Sequence, residues 1–176
     1  LLSPLTKGLM QLTGVLSIGL LIAIAFLELD NKGRVTNFTL VKKAKRLVSL
    51  WLTTTVIYIL VQIAYLLDQP ITASFDLTVI RSYLTQTSIG KSYLIQVIGI
   101  IVVLAISLKK VISTYLALLI SLIAITASIF QSHGSTSGHH GLAIGALVIH
   151  VIALSFWVGG LFSLTQLGSE HKLIAL

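Results

Sequence analysis

The chain has 176 residues, of which 56% are hydrophobic and only 10% charged, and it carries a formal net charge of +7. Its mean hydropathy of +1.02 excludes a water-soluble globule of this size, because too few polar side chains remain to cover one. The absence of cysteine excludes both a disulfide framework and a thiolate metal site.

Five apolar runs follow one another, at 8–27, 47–67, 92–108, 111–130 and 142–164. Each is close to the ~20 residues a helix needs to cross the hydrocarbon core of a bilayer. They are about twice the length of a barrel strand and show no period-two alternation. The expected fold is therefore all-α, an integral membrane bundle of five transmembrane helices forming a single domain over 1–176. The first run, led by Pro4 and Lys7, is longer than a secretory h-region, and no small-residue cleavage motif follows it. With no initiator Met and no terminal signal at Leu176, the chain is expected to be a segment of a longer one.

The segment 28–46 contains FTLVKKAKRL, whose basic face suits a short interfacial helix at the headgroups. The second run carries a polar stripe of Thr55, Tyr58, Gln62 and Tyr65. In the segment 68–91, LTVIRSYLTQT is amphipathic but too short to span. The third run offers Ser92, Gln96 and Gly99, and both stripes read as glue between helices.

The fourth run places Thr114, Ala117, Ser121, Ala124, Ser128 and Gln131 at alternating spacings of three and four. The fifth does the same with Ala143, Ala146, His150, Ala153, Trp157 and Gly160. Small residues let membrane helices approach closely and hydroxyls bond across the gap. These stripes are expected to face each other, with His150 inside the bundle.

Orientation follows from the basic residues. Lys32, Arg34, Lys42, Lys43, Lys45, Arg46, Lys109, Lys110 and Lys172 fall on one side, against Lys7, Arg81 and Lys91 on the other. Nine against three predicts an outside N-terminus and a cytoplasmic C-terminus. Topology and anionic headgroups then account for the positive charge, so no nucleic-acid partner is expected.

Between the last two runs lies QSHGSTSGHHG, residues 131–141, with His133, His139 and His140; His150 follows within the helix. An intramembrane imidazole is costly and is a common metal ligand, so these four are the candidate metal residues. Imidazole suits zinc, copper, nickel and iron, so spacing does not choose the metal. Met10 reads as packing. A b-type heme held by His133 and His150 is the competing use of the same rings. Glu28, Asp30, Glu170, Asp68 and Asp76 have no sequence reason to approach His150, and the chain is not expected to be an enzyme.

At SHGSTSGHHGLAIGALVIHVIALSFWVGGL the sequence resembles the copper resistance protein D family, with W-V-G-G after an in-helix His the most specific part. The T-S-I-G-K segment at 87–91 is similar to the family's short motif before a membrane helix. The likeness is to the form fused to a cytochrome c oxidase assembly domain. Members often show His-Asp where this chain has His140-Gly141. The resemblance implies a multi-pass protein of the cytoplasmic membrane that handles copper ion, of either oxidation state, through His133, His139 or His140, and His150. It implies as partners the lipid bilayer, a periplasmic copper-binding protein, and a fused or separate oxidase assembly domain. The expected function is copper transport, with the outer loop feeding His150. A non-transporting copper-delivery or oxidase-assembly module, and a b-type heme protein, are the alternatives.

Overall fold

The computed structural model describes residues 2–28, 32–127 and 140–174, with side chains of the last stretch described over 144–166. Six α-helices and one 3-10 turn account for nearly all of them. They are α1 (Leu2–Leu27), α2 (Phe38–Leu67), the 3-10 turn (Ile71–Phe75), α3 (Leu77–Gln86), α4 (Ser88–Ala105), α5 (Val111–Ala127) and α6 (His140–Ile174). Among the described residues there is no named strand; a single antiparallel bridge joins Arg34 to Lys110. Among the described residues four helices are long and apolar enough to cross a membrane, namely Leu2–Leu27, Phe38–Leu67, Ser88–Ala105 and Ile144–Gln166, and Val111–Ala127 is a shorter apolar helix.

The helix ends follow local chemistry. Pro4 sits in the first turn of α1, where a missing N–H costs nothing. The basic segment FTLVKKAKRL is not a separate interfacial helix but the first turns of α2, continuous with the spanning part. Asn37 caps it, its side chain accepting from the Leu40 amide at 2.9 Å. At the far end Asp68 adopts a left-handed conformation, φ 51°, and closes α2. The amphipathic stretch LTVIRSYLTQT, too short to span, forms α3, capped by Asp76 accepting from the Thr78 amide at 2.8 Å.

Both Lys-rich connections lie at one end of the bundle and are stitched together. The Val35 amide donates to the Lys109 carbonyl at 3.1 Å, and the Val111 amide to the Gly33 carbonyl at 2.9 Å. Lys45 donates to the Leu104 carbonyl at 2.9 Å, in the last turn of α4, where the helix carries its partial negative charge. Lys45→Met is expected to lower stability by ~0.5–1 kcal/mol. An unchanged melting temperature in detergent would show that this cap contributes nothing.

Helix α1 is the centre of the molecule: 67% of its apolar window is buried, against 11% for α6. It packs against α2, α5 and α6, while α4 packs against α2, α3 and α5. Met10 is wholly buried in this core. The α5 stripe of Thr114, Ala117, Ser121 and Ala124 is buried as expected; Ser128 and Gln131 lie outside the described residues.

The α6 stripe is not buried. Ala146, His150, Ala153 and Trp157 are exposed, Trp157 by 70%, and the buried positions are Ser155, Gly159 and Ser163, on the opposite side. The reason is a closer fit elsewhere. Gly159 meets Gly19 of α1 so tightly that a Cβ on Gly159 would stand 2.7 Å from the Gly19 Cα and from the Val15 carbonyl oxygen. Two glycines crossing give a nearer backbone approach than any alanine stripe, so α6 docks mainly on α1 and only marginally on α5.

Candidate functional site

The α1–α6 crossing fixes where the candidate histidines stand. His150 lies ten residues into α6, about 15 Å along its axis from His140. It faces away from α1 and has no hydrogen-bond partner among the described residues, which corrects its expected place in the bundle interior. Ser121, a neighbour it was expected to reach, instead donates to the Ala117 carbonyl of its own helix at 2.8 Å. His140 heads α6, its side chain outside the description, and His133 and His139 lie outside the described residues altogether. Among the described residues no three His, Cys, Asp or Glu side chains form a group able to hold a metal. The described acids have local duties: Asp76 caps α3, and Glu28 accepts from the Thr36 hydroxyl at 3.1 Å.

Most membrane hydroxyls are satisfied within their own helices rather than across gaps. Ser17, Thr55, Thr126 and Ser155 each donate to the carbonyl four residues back. Among the described residues, hydroxyl and amide side chains also meet across helices. Thr13 and Thr54 meet at 2.9 Å, Ser3 donates to Gln62 at 3.1 Å, and the Gln96 amide donates to Thr55 at 3.4 Å.

The last of these belongs to a polar line where α2, α3 and α4 meet. Tyr58 and Tyr93 pack edge to face with ring centroids 5.2 Å apart. The Tyr83 phenol of α3 lies near enough to feel both. Burial, with a smaller contribution from Tyr58, pushes the Tyr83 phenol up to about 12, so it stays neutral and available as a donor. The two stripes were visible in α2 and α4, but Tyr83 was not foreseen as joining them. Its signal was an aromatic on the apolar side of a short amphipathic helix.

The model of the family described as Copper resistance protein D-like, N-terminal domain, matches residues 2–146. The chain belongs to this family. No curated protein and no solved structure matches it. As a copper resistance protein D-like domain it is a copper-related, multi-pass membrane protein. The match covers α1 to α5 and the first turns of α6.

Of the two motifs that carried the resemblance, T-S-I-G-K lies within the residues matched to the copper resistance protein D-like domain and W-V-G-G lies beyond them, and both have packing roles. In T-S-I-G-K, the Thr87 hydroxyl accepts from the Gly90 amide at 2.9 Å and caps α4. Gly90 has no side chain because the Tyr83 carbonyl occupies that space. In W-V-G-G, Gly159 is the crossing point on α1, whereas Trp157 points outward.

Proposed function

We infer that this domain moves copper across the cytoplasmic membrane, taking it from the outer side through His133, His139 and His140 and passing it to His150. The observation that supports the reading is the placement of His150. It is an imidazole about a third of the way along the membrane span Ile144–Gln166, exposed and without a hydrogen-bond partner among the described residues. With the family's link to copper, this supports the outward side of α6, rather than the bundle interior, as the station for the ion. We further propose five spans, with α5 crossing at about 25 Å, and the Lys-rich end of the bundle in the cytoplasm. The nine-to-three distribution of Lys and Arg supports that orientation.

A second reading, a copper-delivery module docked to an oxidase assembly domain, draws support from the same helix, because α6 leaves most of its surface uncovered. Copper uptake by proteoliposomes separates the two. His150→Ala is expected to abolish uptake without loss of helical content, and unchanged uptake would reject the α6 station. Replacing His133, His139 and His140 together by Ala is expected to raise the copper Kd at least tenfold, ~1.4 kcal/mol. An unchanged isotherm would reject the loop, and a Soret band in the purified protein would favour heme instead.

A further inference from the structure

Helix α2 ends on a residue that helix stability alone would not choose. The Gln69 amide donates to the Ala64 carbonyl at 3.1 Å and the Asp68 amide to the Tyr65 carbonyl at 3.4 Å, a pairing that closes the helix with Asp68 in the left-handed region at φ 51°. Glycine takes that conformation without steric cost, and asparagine tolerates it. Aspartate carries a second cost, because its carboxylate stands at the helix end that bears partial negative charge. Asp76, farther along the same connection, has its carboxylate engaged as the cap of α3. The Asp68 carboxylate has no such duty: among the described residues it makes no hydrogen bond or ion pair.

That carboxylate lines a cleft of about 660 Å³ between the start of α1 and the end of α2. Ser3, Tyr65 and Gln69 supply the rest of its polar lining, and Leu2, Val61 and Ile71 give it apolar walls. The Ser3 hydroxyl gives its proton to Gln62 at 3.1 Å and is left as an acceptor. No lysine, arginine or histidine lines the cleft, so it offers an anion nothing. One carboxylate with neutral oxygens is also a thin donor set for a divalent metal, and no group of three ligating side chains forms among the described residues. A primary ammonium fits better. It brings a single positive charge and three N–H donors, which match one carboxylate and the neutral acceptors beside it. The apolar walls require that this ammonium belong to an amphiphile.

Helix length places the cleft at the right depth for one. With 26 and 30 residues, α1 and α2 are about 39 and 45 Å long, against ~30 Å of hydrocarbon. Their ends therefore reach the headgroup layer, and Asp68 stands at such an end. We propose that this cleft binds a phospholipid whose headgroup bears a primary ammonium, with the ammonium on Asp68 and the glycerol end of the acyl chains against the apolar walls. The cleft includes no histidine and no part of α6, so the site is independent of the copper reading.

Native mass spectrometry of the full chain, released from nanodiscs of equal parts phosphatidylethanolamine, phosphatidylcholine and phosphatidylglycerol, reads which lipid stays bound. Phosphatidylethanolamine is expected to be retained at least fivefold over either of the others. Phosphatidylcholine has a cation without N–H donors and phosphatidylglycerol has no cation, so the two comparisons separate hydrogen bonding from charge. Asp68→Asn keeps a residue that tolerates the left-handed turn and removes only the charge. It is expected to lower the phosphatidylethanolamine excess below twofold, while the melting temperature in lipid-free detergent stays the same or rises slightly, because an adverse charge has left the helix end. Equal retention of phosphatidylethanolamine and either comparison lipid by the unmodified chain would overturn the proposal, as would a fivefold excess that survives Asp68→Asn. Free ethanolamine at millimolar concentration that stabilises the unmodified chain as much as the lipid does would assign the cleft to a small soluble amine and overturn the lipid as its occupant.

Discussion

Gly159→Leu is expected to undock α6 from α1. A single Cβ at this position already falls 2.7 Å from the Gly19 Cα and the Val15 carbonyl oxygen, which are backbone atoms and cannot rotate away. The helices must separate to admit the new side chain. Overpacking of this kind costs ~1–3 kcal/mol, and a backbone-on-backbone crossing belongs at the upper end of that range. Ala153→Leu, on the exposed side of the same helix, is expected to stay within ~0.5 kcal/mol. Both substitutions add a leucine to one membrane helix, so hydrophobicity cannot account for a difference in melting temperature. Because the two glycines share one contact, Gly19→Leu added to Gly159→Leu is expected to cost much less than it does alone. Equal destabilisation by Gly159→Leu and Ala153→Leu would show that α6 does not cross α1 here.

The same crossing explains how far the sequence could be read. Helix positions were legible because hydropathy and length depend on the bilayer, which every spanning segment meets alike. The burial of Thr114, Ala117, Ser121 and Ala124 was legible from their spacing. The rotation of α6 was not, since that helix carries two stripes of small residues, one with His150 and one with Ser155 and Gly159. Which one is buried depends on the helix it meets, and Gly19 stands on α1, far away in sequence. Nor could local pattern show that α2 starts at Phe38, because lysines suit an interfacial helix and the first turns of a spanning one equally. As for the site, His150 was legible as an ionisable group inside a membrane helix, but its facing followed the rotation of α6 and was misread with it. Tyr83 joins the polar line only through the tight α3–α4 turn made by Thr87 and Gly90, a tertiary contact that no periodicity records.

Trp51→Ala is expected to be the most damaging single substitution in the core. The indole is completely buried, and it reaches from α2 to Gly14 of α1 and Ile125 of α5, so it ties three helices at one level. Gly14 is part of the fit, since a Cβ there would stand 2.9 Å from the indole ring. Truncation leaves a cavity that helices held by several other contacts cannot collapse to fill. Buried Trp or Phe to Ala changes cost ~3–5 kcal/mol. Trp51→Phe keeps a six-membered aromatic ring while losing part of the indole's volume and its Nε1 donor, which has no partner among the described residues. That variant is expected to lose less than ~1.5 kcal/mol. Thermal unfolding in detergent compares the two. If Phe destabilised as much as Ala, the retained ring would be contributing nothing, and the indole's role as a space-filling tie between α1, α2 and α5 would be wrong.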